Sequence, residues 1–422
     1  MTDTDLATLA GITVLPMSRD AAVWDMLDRS ADKFDGKTGV LVKPGDPKGH
    51  RDNVQLILAH DPWWATAFAY NSLSERVEWT HRDGSSVAVD DHHEAEIGLL
   101  LARQYGIHAP TAVIHEAVAW AAHRHTYSPV EDYLEALEWD GVERISTWCA
   151  RYLGAPNDRV TQAMGRAWLV QAVARALTPG CKADTVLILR GRQGSGKSTS
   201  LAILGGEWFR DTPIDLASKD RFSALQGAWI YELAELDSLR RAEAQTLKAF
   251  VSSQRDSYRP SYGRNTRDVP RTTVFAGTTN DDEFLQDATG SRRWWVIETT
   301  TCDAPALRDD RDQLWAEAVA AYKVGEVWHL PPDLEEDRAV SAQRYEVSDP
   351  LAAPFELWCD ARHDFTIAEA WAALGYLTPP LARDGQRLGK LIRQLGLHVS
   401  GKVVRNGKRV NGYKLAETHE VR

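Results

Sequence analysis

Residues 187–201 read LILRGRQGSGKSTSL. A short apolar run meets a glycine-rich loop, and a lysine and hydroxyls then open a helical-looking segment. Gly191, Arg192, Gln193, Gly194, Ser195, Gly196, Lys197 and Ser198 fill the spacing G-x-x-x-x-G-K-[ST] without a gap. Glycines let backbone N–H groups curl around phosphate oxygens where a side chain would clash. The helix that follows points its positive end at the same oxygens. Lys197 is then placed to reach the β- and γ-phosphates of ATP, and Ser198 to hold Mg²⁺. Thr199, next to it, is a weaker ligand candidate. The stretch predicts a strand, a phosphate loop and a helix, hence an α/β P-loop ATPase core. It says nothing of what the triphosphate is used for.

A phosphate loop needs an acid on a neighbouring strand to place the metal and orient water. GAWIYELAEL, residues 227–236, offers one: Trp229, Ile230 and Tyr231 make an apolar strand that ends at Glu232, and Glu235 follows. Adjacent acids would be the usual arrangement. The spacing E-x-x-E leaves open which glutamate polarises the water and which, Glu232 first, supports the metal. A third strand, RTTVFAGTTN, ends at Asn280, a polar group suited to sensing the γ-phosphate. In DATGSRRWWVIE, Arg292 and Arg293 precede another apolar strand. An arginine supplied to a neighbouring subunit's γ-phosphate accelerates such hydrolysis by roughly 10³–10⁵. The two stay unresolved, and pairing with local acids such as Asp287 is the structural alternative.

The chain has 422 residues, 43% of them hydrophobic and 26% charged, which suits a soluble globular protein of several domains. Its start does not read as a signal peptide, and no stretch is apolar enough for a membrane span. Cys149, Cys181, Cys302 and Cys359 are far apart, so neither a disulfide framework nor a zinc site is expected and a reducing cytoplasm fits. The net charge of −11 argues against non-specific coating of nucleic acid. The distribution points the other way locally. Arg383, Arg387, Lys390, Arg393, Lys402, Arg405, Lys408, Arg409 and Lys414 crowd the C-terminal end against a single acid, Asp384.

Along the chain, 1–105 reads as a mixed α/β region and 106–182 as helical, an oligomerisation collar. The ATPase domain spans 183–325, and 326–350 is a turn-rich acidic linker. The region 351–422 shows three helices, one capped by Thr366, and then HVSGKVVRNGKRVNGYKL, a hairpin turning at Asn406-Gly407. Three helices plus a basic hairpin are winged-helix-like, with Arg387, Lys390, Arg393, Lys408 and Arg409 as its DNA-contact candidates. Such modules also bind proteins.

Between the acids and Asn280 lies LKAFVSSQRDSYRPSYGRNTRDVPR, residues 247–271. Cations there can meet phosphates and the tyrosines can stack on bases. The order of phosphate loop, WIYELAEL, this basic loop, FAGTTN and GSRRWWVIE resembles the virulence-associated E (VapE-like) family of phage and genomic-island proteins, a branch of the superfamily 3 helicase-type AAA+ ATPases. YSPVEDYLEALEWDGVERISTWCARYLGA, from Tyr127, carries the likeness upstream. It is most specific over 127–298. The resemblance implies homo-oligomeric rings, usually hexamers, with ATP between subunits, moving on single-stranded or forked DNA in the bacterial cytoplasm during replication of a phage or mobile element. A primase is implied as a separate partner, since no convincing primase motif precedes the helical region. By the same analogy the basic loop grips DNA in the channel, with Arg264 and Arg267 at its tip and Tyr262 beside them. Lys248 and Arg259 either join them or face the nucleotide or a neighbouring subunit.

The expected activity is therefore an ATP-dependent DNA helicase or translocase. The rival is a nucleotide-gated DNA-binding initiator or interference factor that unwinds nothing.

Overall fold

The computed structural model describes residues 19–34, 41–43, 45–233, 241–259, 265–281, 284, 291–345, 351–359, 362–395 and 398–415. The described residues divide into two compact units, one within 1–282 and 288–344, the other within 283–287 and 345–422. Among them, no helix is long and apolar enough to cross a membrane.

The first unit opens with α1 (Ala21–Met26), the short pair β1 (Lys33–Phe34) and β2 (Leu41–Lys43), and α2 (Arg51–His60). Strands β3 (Phe68–Asn71), β4 (Arg76–Thr80) and β5 (Ser86–Ala88) follow, then α3 (Asp91–Tyr105), α4 (Thr111–His123) and β6 (Thr126–Tyr127). These strands form a sheet in the order β5-β4-β3-β6. Trp64, Phe68, Trp79, Ile97 and Leu101 fill the space between sheet and helices. Helix α3 starts where it does because the Asp90 carboxylate accepts from the His92 and His93 N–H groups. It stops at Gly106, whose φ of 67° is a left-handed value glycine adopts without strain.

Helices α5 (Pro129–Ala136), α6 (Trp148–Leu153) and α7 (Arg159–Leu177) lead into the larger sheet. It comprises β7 (Val186–Arg190), α8 (Lys197–Gly205), β8 (Phe209–Arg210), β9 (Ile230–Leu233), β12 (Val274–Thr279) and β13 (Trp294–Glu298), closed by α10 (Ala304–Lys323) and α11 (Pro332–Ala342). Between β9 and β12 come α9 (Arg241–Val251) and an antiparallel hairpin of β10 (Arg255–Tyr258) and β11 (Arg267–Pro270). The five sheet strands run parallel in the order β13-β7-β12-β9-β8. A parallel sheet covered on both faces wants continuous apolar strands. VLIL in β7 and IYEL in β9 are buried throughout, which places Glu232 in the interior. Helix α7 is buried along nearly its whole length from Thr161. Two tryptophans tie it to the sheet: Trp168 Nε1 donates to the Phe275 carbonyl at 3.1 Å, and Trp229 Nε1 to that of Ala172 at 2.9 Å.

The second unit runs α12 (Ala352–Cys359), β14 (Asp364–Phe365), α13 (Ile367–Ala373), α14 (Ala382–Leu395), β15 (His398–Arg405) and β16 (Lys408–Leu415), with strand order β14-β16-β15. Thr366 and Glu369 form a reciprocal capping box on α13. Arg405 pairs with Lys408 across a two-residue turn in which Asn406 and Gly407 have φ of 51° and 74°. That is the turn the dipeptide favours.

Candidate functional site

In parallel sheets, ligands gather beyond the carboxyl ends of the strands, where strand order reverses. Here the chain leaves β7 on one side for β8 and returns on the other for β13. The glycine-rich loop lies at that point. Parallel register sets Thr279 level with Arg190 and Gly277 level with Leu233, so the ends of β7, β12 and β9 converge.

The loop is held tightly. Gly194 and Gly196 have φ of 78° and 94°, which only glycine adopts at ease. A Cβ on Gly191 would come within 2.5 Å of the Thr299 carbonyl oxygen. Ser195 O accepts from Cys302 N at 2.9 Å, pinning the loop to the chain beyond β13. Arg192, Gln193 and Thr199 are exposed at the rim. Lys197 opens α8 and is only 7% exposed. Its Nζ donates to the Gly191 and Arg192 carbonyls at 2.8 Å each and to Asn280 Oδ1 at 2.9 Å. Burial pulls its pKa below the usual lysine value.

Glu232 is 3% exposed. Its Oε1 accepts from Ser198 Oγ at 2.8 Å and Thr278 Oγ1 at 2.6 Å. Its Oε2 is buried with no hydrogen-bond partner among the described residues, as is Ser195 Oγ. A buried carboxylate oxygen without a partner is costly unless a cation or water completes it. Hard oxygen donors from a serine and a carboxylate are what Mg²⁺ takes alongside phosphates. Ser198 and Glu232 therefore fit the metal.

The structure thus brings Lys197, Ser198, Glu232 and Asn280 together. It adds Thr278, which the sequence reading passed over. A threonine in an apolar strand reads as a β-former, and only the register reveals that it faces the acid. Glu235, Tyr262 and Arg264 lie outside the described residues.

Arg292 and Arg293 stand elsewhere. Trp294 pairs with Val186 and Glu298 with Arg190, so both arginines sit at the amino end of β13, about 16 Å along the strand from the loop at ~3.3 Å per residue. Arg292 is 62% exposed and lies 4.0 Å from Asp184. Arg293 is turned inward: its Nε donates to Ser252 Oγ at 2.7 Å. Asp287 lies outside the described residues.

The basic hairpin shares that amino edge. Arg271, 2% exposed, is clasped by Asp256 and the Phe250 carbonyl at its root. Arg175, fully buried, donates to the carbonyls of Arg271, Ala183 and Ser253. Arg259 and Arg267 are exposed, and Lys248 is half-buried at the end of α9. Arg267 also stands beside Tyr70 and His123 of the N-terminal part. In the second unit, α14 buries Leu388, Leu391 and Ile392 and exposes Arg387 and Arg393, with Lys390 half-buried between them. Lys408 and Arg409 are exposed beside the hairpin turn. Arg405 instead pairs with Asp364 at 2.9 Å and Glu369 at 2.5 Å.

The family described as virulence-associated protein E-like domain matches residues 134–347. Among solved structures, the apo structure of the NrS-1 C-terminal region is similar at 12% identity over 84% of this chain and 99% of that one, with a TM-score of 0.46. The A-form apo structure of the same region covers 82% and 96% at 12% identity, with a TM-score of 0.47. No curated protein matches the chain.

Proposed function

The chain belongs to the virulence-associated protein E-like family, and from that premise we propose that it is an ATP-driven, ring-forming DNA helicase or translocase of a phage or mobile element. The carrying observation is the meeting of Lys197, Ser198, Glu232 and Asn280 at one edge of the parallel sheet. On this reading the chain is a P-loop ATPase of the superfamily 3 helicase type with a winged-helix-like second unit. Loop amides and Lys197 bind the triphosphate. Ser198 and Glu232 would hold Mg²⁺, which would supply positive charge against the phosphates. Glu232, with Glu235 as the rival base, orients the attacking water, and Asn280 holds it near the γ-phosphate.

The distance from the loop to Arg292 favours a finger acting on the neighbouring copy's nucleotide rather than its own. Exposure favours Arg292 over Arg293 for that role. The basic hairpin, with Lys248, Arg259 and Arg267, takes single-stranded DNA in the channel of a ring, expected to be hexameric. Arg387, Lys390, Arg393, Lys408 and Arg409 bind duplex DNA or steady the fork, and a separate primase supplies primers.

The test is displacement of a labelled strand from forked DNA with ATP and Mg²⁺, with Lys197→Ala as control. Displacement by the native chain and none by the variant is expected. ATP turnover without displacement would leave a nucleotide-gated DNA-binding switch. Turnover that survives Lys197→Ala would overturn the site itself.

A further inference from the structure

The turn between β3 and β4 reaches out of the N-terminal sheet and touches the machinery at two points. Asn71 Oδ1 accepts from the Leu73 and Ser74 N–H groups at 3.0 and 3.1 Å, fixing the turn's shape. Leu73 is buried in the core of the parallel sheet, and its carbonyl accepts from Gly227 N at 2.9 Å. Glu75 then takes a φ of 55°. That left-handed backbone suits glycine or asparagine, and a glutamate is strained there.

From this turn the Glu75 carboxylate meets the basic hairpin. Tyr258, the last residue of β10, donates its hydroxyl to Glu75 Oε1 at 2.5 Å and accepts from Gln226 Nε2 at 2.8 Å. Its ring is 93% buried against Phe222, with centroids 6.2 Å apart. Arg267, opposite Tyr258 in the hairpin register, lies beside Tyr70 on β3 and His123 at the end of α4. Residues 222–227 lead directly into β9 and Glu232. One turn therefore meets both the loop-side end of the hairpin strands and the lead-in to the strand that carries the acid.

We propose that Glu75 and Tyr258 form a joint through which the N-terminal part holds the basic hairpin in place and couples its position to β9. Both are positioning residues. The functional half of the proposal rests on reading the hairpin as the nucleic-acid contact. The mechanical half does not. Gln226 Nε2 fills only the acceptor side of the Tyr258 hydroxyl, and the O–H is donated to Glu75. A charged acceptor at a strained backbone position adds direction and strength, because hydrogen bonds to ionised groups are the stronger ones.

Two variants break the joint with little other change. Tyr258→Phe keeps the buried ring and removes the hydroxyl. Glu75→Gly removes the carboxylate and suits the left-handed backbone. Amide hydrogen exchange of the full chain, without nucleotide or DNA, reads the mechanical half. Both variants should speed exchange in β10 and β11 by about tenfold or more, leaving β7 and β12 unchanged. Hairpin amides that keep native rates in both would overturn the joint. ATP turnover reads the coupling: in both variants the factor by which single-stranded DNA raises turnover should fall toward one, with basal turnover kept. Stimulation retained in full would overturn the coupling. A native chain that DNA does not stimulate would count against the nucleic-acid reading instead, and exchange would still decide the joint.

Discussion

Lys197 Nζ donates to Asn280 Oδ1 over 2.9 Å, tying the loop after β7 to the end of β12. The two meet because β7 and β12 are hydrogen-bonded neighbours in parallel register. The ammonium is thus held among carbonyl oxygens that a triphosphate would replace with stronger charge. Burial lowers the Lys197 pKa in the free protein, so binding an anion must raise it again. Nucleotide binding then takes up a proton once the pH exceeds the lowered value. Affinity for ATP should fall as pH rises from neutral into the alkaline range, and Lys197→Arg should flatten that fall, since a guanidinium stays protonated. Titration calorimetry across pH checks it. A native profile as flat as the variant's would refute the assignment.

If Asn280 acts on the γ-phosphate as proposed, Asn280→Ala should lower turnover while leaving nucleotide affinity close to native. Equilibrium binding beside steady-state turnover separates the two. A loss of binding as large as the loss of turnover would make Asn280 a structural brace for Lys197.

Thr278 shares Glu232 Oε1 with Ser198. Thr278→Val keeps the shape and removes one donor, so Glu232 should be less well oriented and the Mg²⁺ concentration for half-maximal turnover should rise, by about tenfold for the loss of one charge-assisted bond. Thr278→Ser should behave as native. Glu232→Gln should retain nucleotide and lose turnover by roughly 10²–10⁴, the usual contribution of a general base. Magnesium titrations of turnover decide both. Equal Mg²⁺ requirements in the valine and serine variants would remove Thr278 from the site.

Arg292 and Arg293 part company on exposure. Arg292→Ala should cut turnover by roughly 10³ with the fold intact. Mixed with Lys197→Ala subunits it should recover part of the activity, since each variant supplies what the other lacks. Arg293→Ala should instead lower the melting temperature, because it strips the bond to Ser252 Oγ. No recovery on mixing would argue that Arg292 does not act between copies.

In the second unit, Lys408→Ala and Arg409→Ala should weaken DNA binding and each reduce the salt slope by about 0.7–0.9 per lost phosphate contact. Arg405→Ala should leave that slope alone and destabilise the unit, because its guanidinium serves Asp364 and Glu369. Binding isotherms at several salt concentrations beside thermal melts test the division. A slope change for Arg405→Ala would reverse it.

The sequence made legible what is local. The glycine-rich loop, the strand ending at Glu232, the Thr366 cap and the Asn406-Gly407 turn each depend on residues a few positions apart. What it hid is non-local. That Thr278 faces Glu232 follows from which strands are neighbours. That Asp184 stands near Arg292 follows from the pairing of β13 with β7. That Arg405 pairs with acids while its basic neighbours Lys408 and Arg409 face out follows from the carboxylates of Asp364 on β14 and Glu369 on α13. Helix α7 carries no clear polar face to announce its burial, which follows from its packing against the sheet and against α10 and α11. The joint of Glu75 with Tyr258 links residues far apart in the chain, and no short-range pattern encodes it.

The five-residue length of β13 has a further consequence. It keeps Arg292 a full strand away from the loop of its own chain. If that arginine completes hydrolysis, a lone molecule carries two halves of different active sites and no whole one. Catalysis then becomes a property of concentration: diluted, the protein should fall silent more steeply than in proportion, and a trace of inert copies should poison many working neighbours.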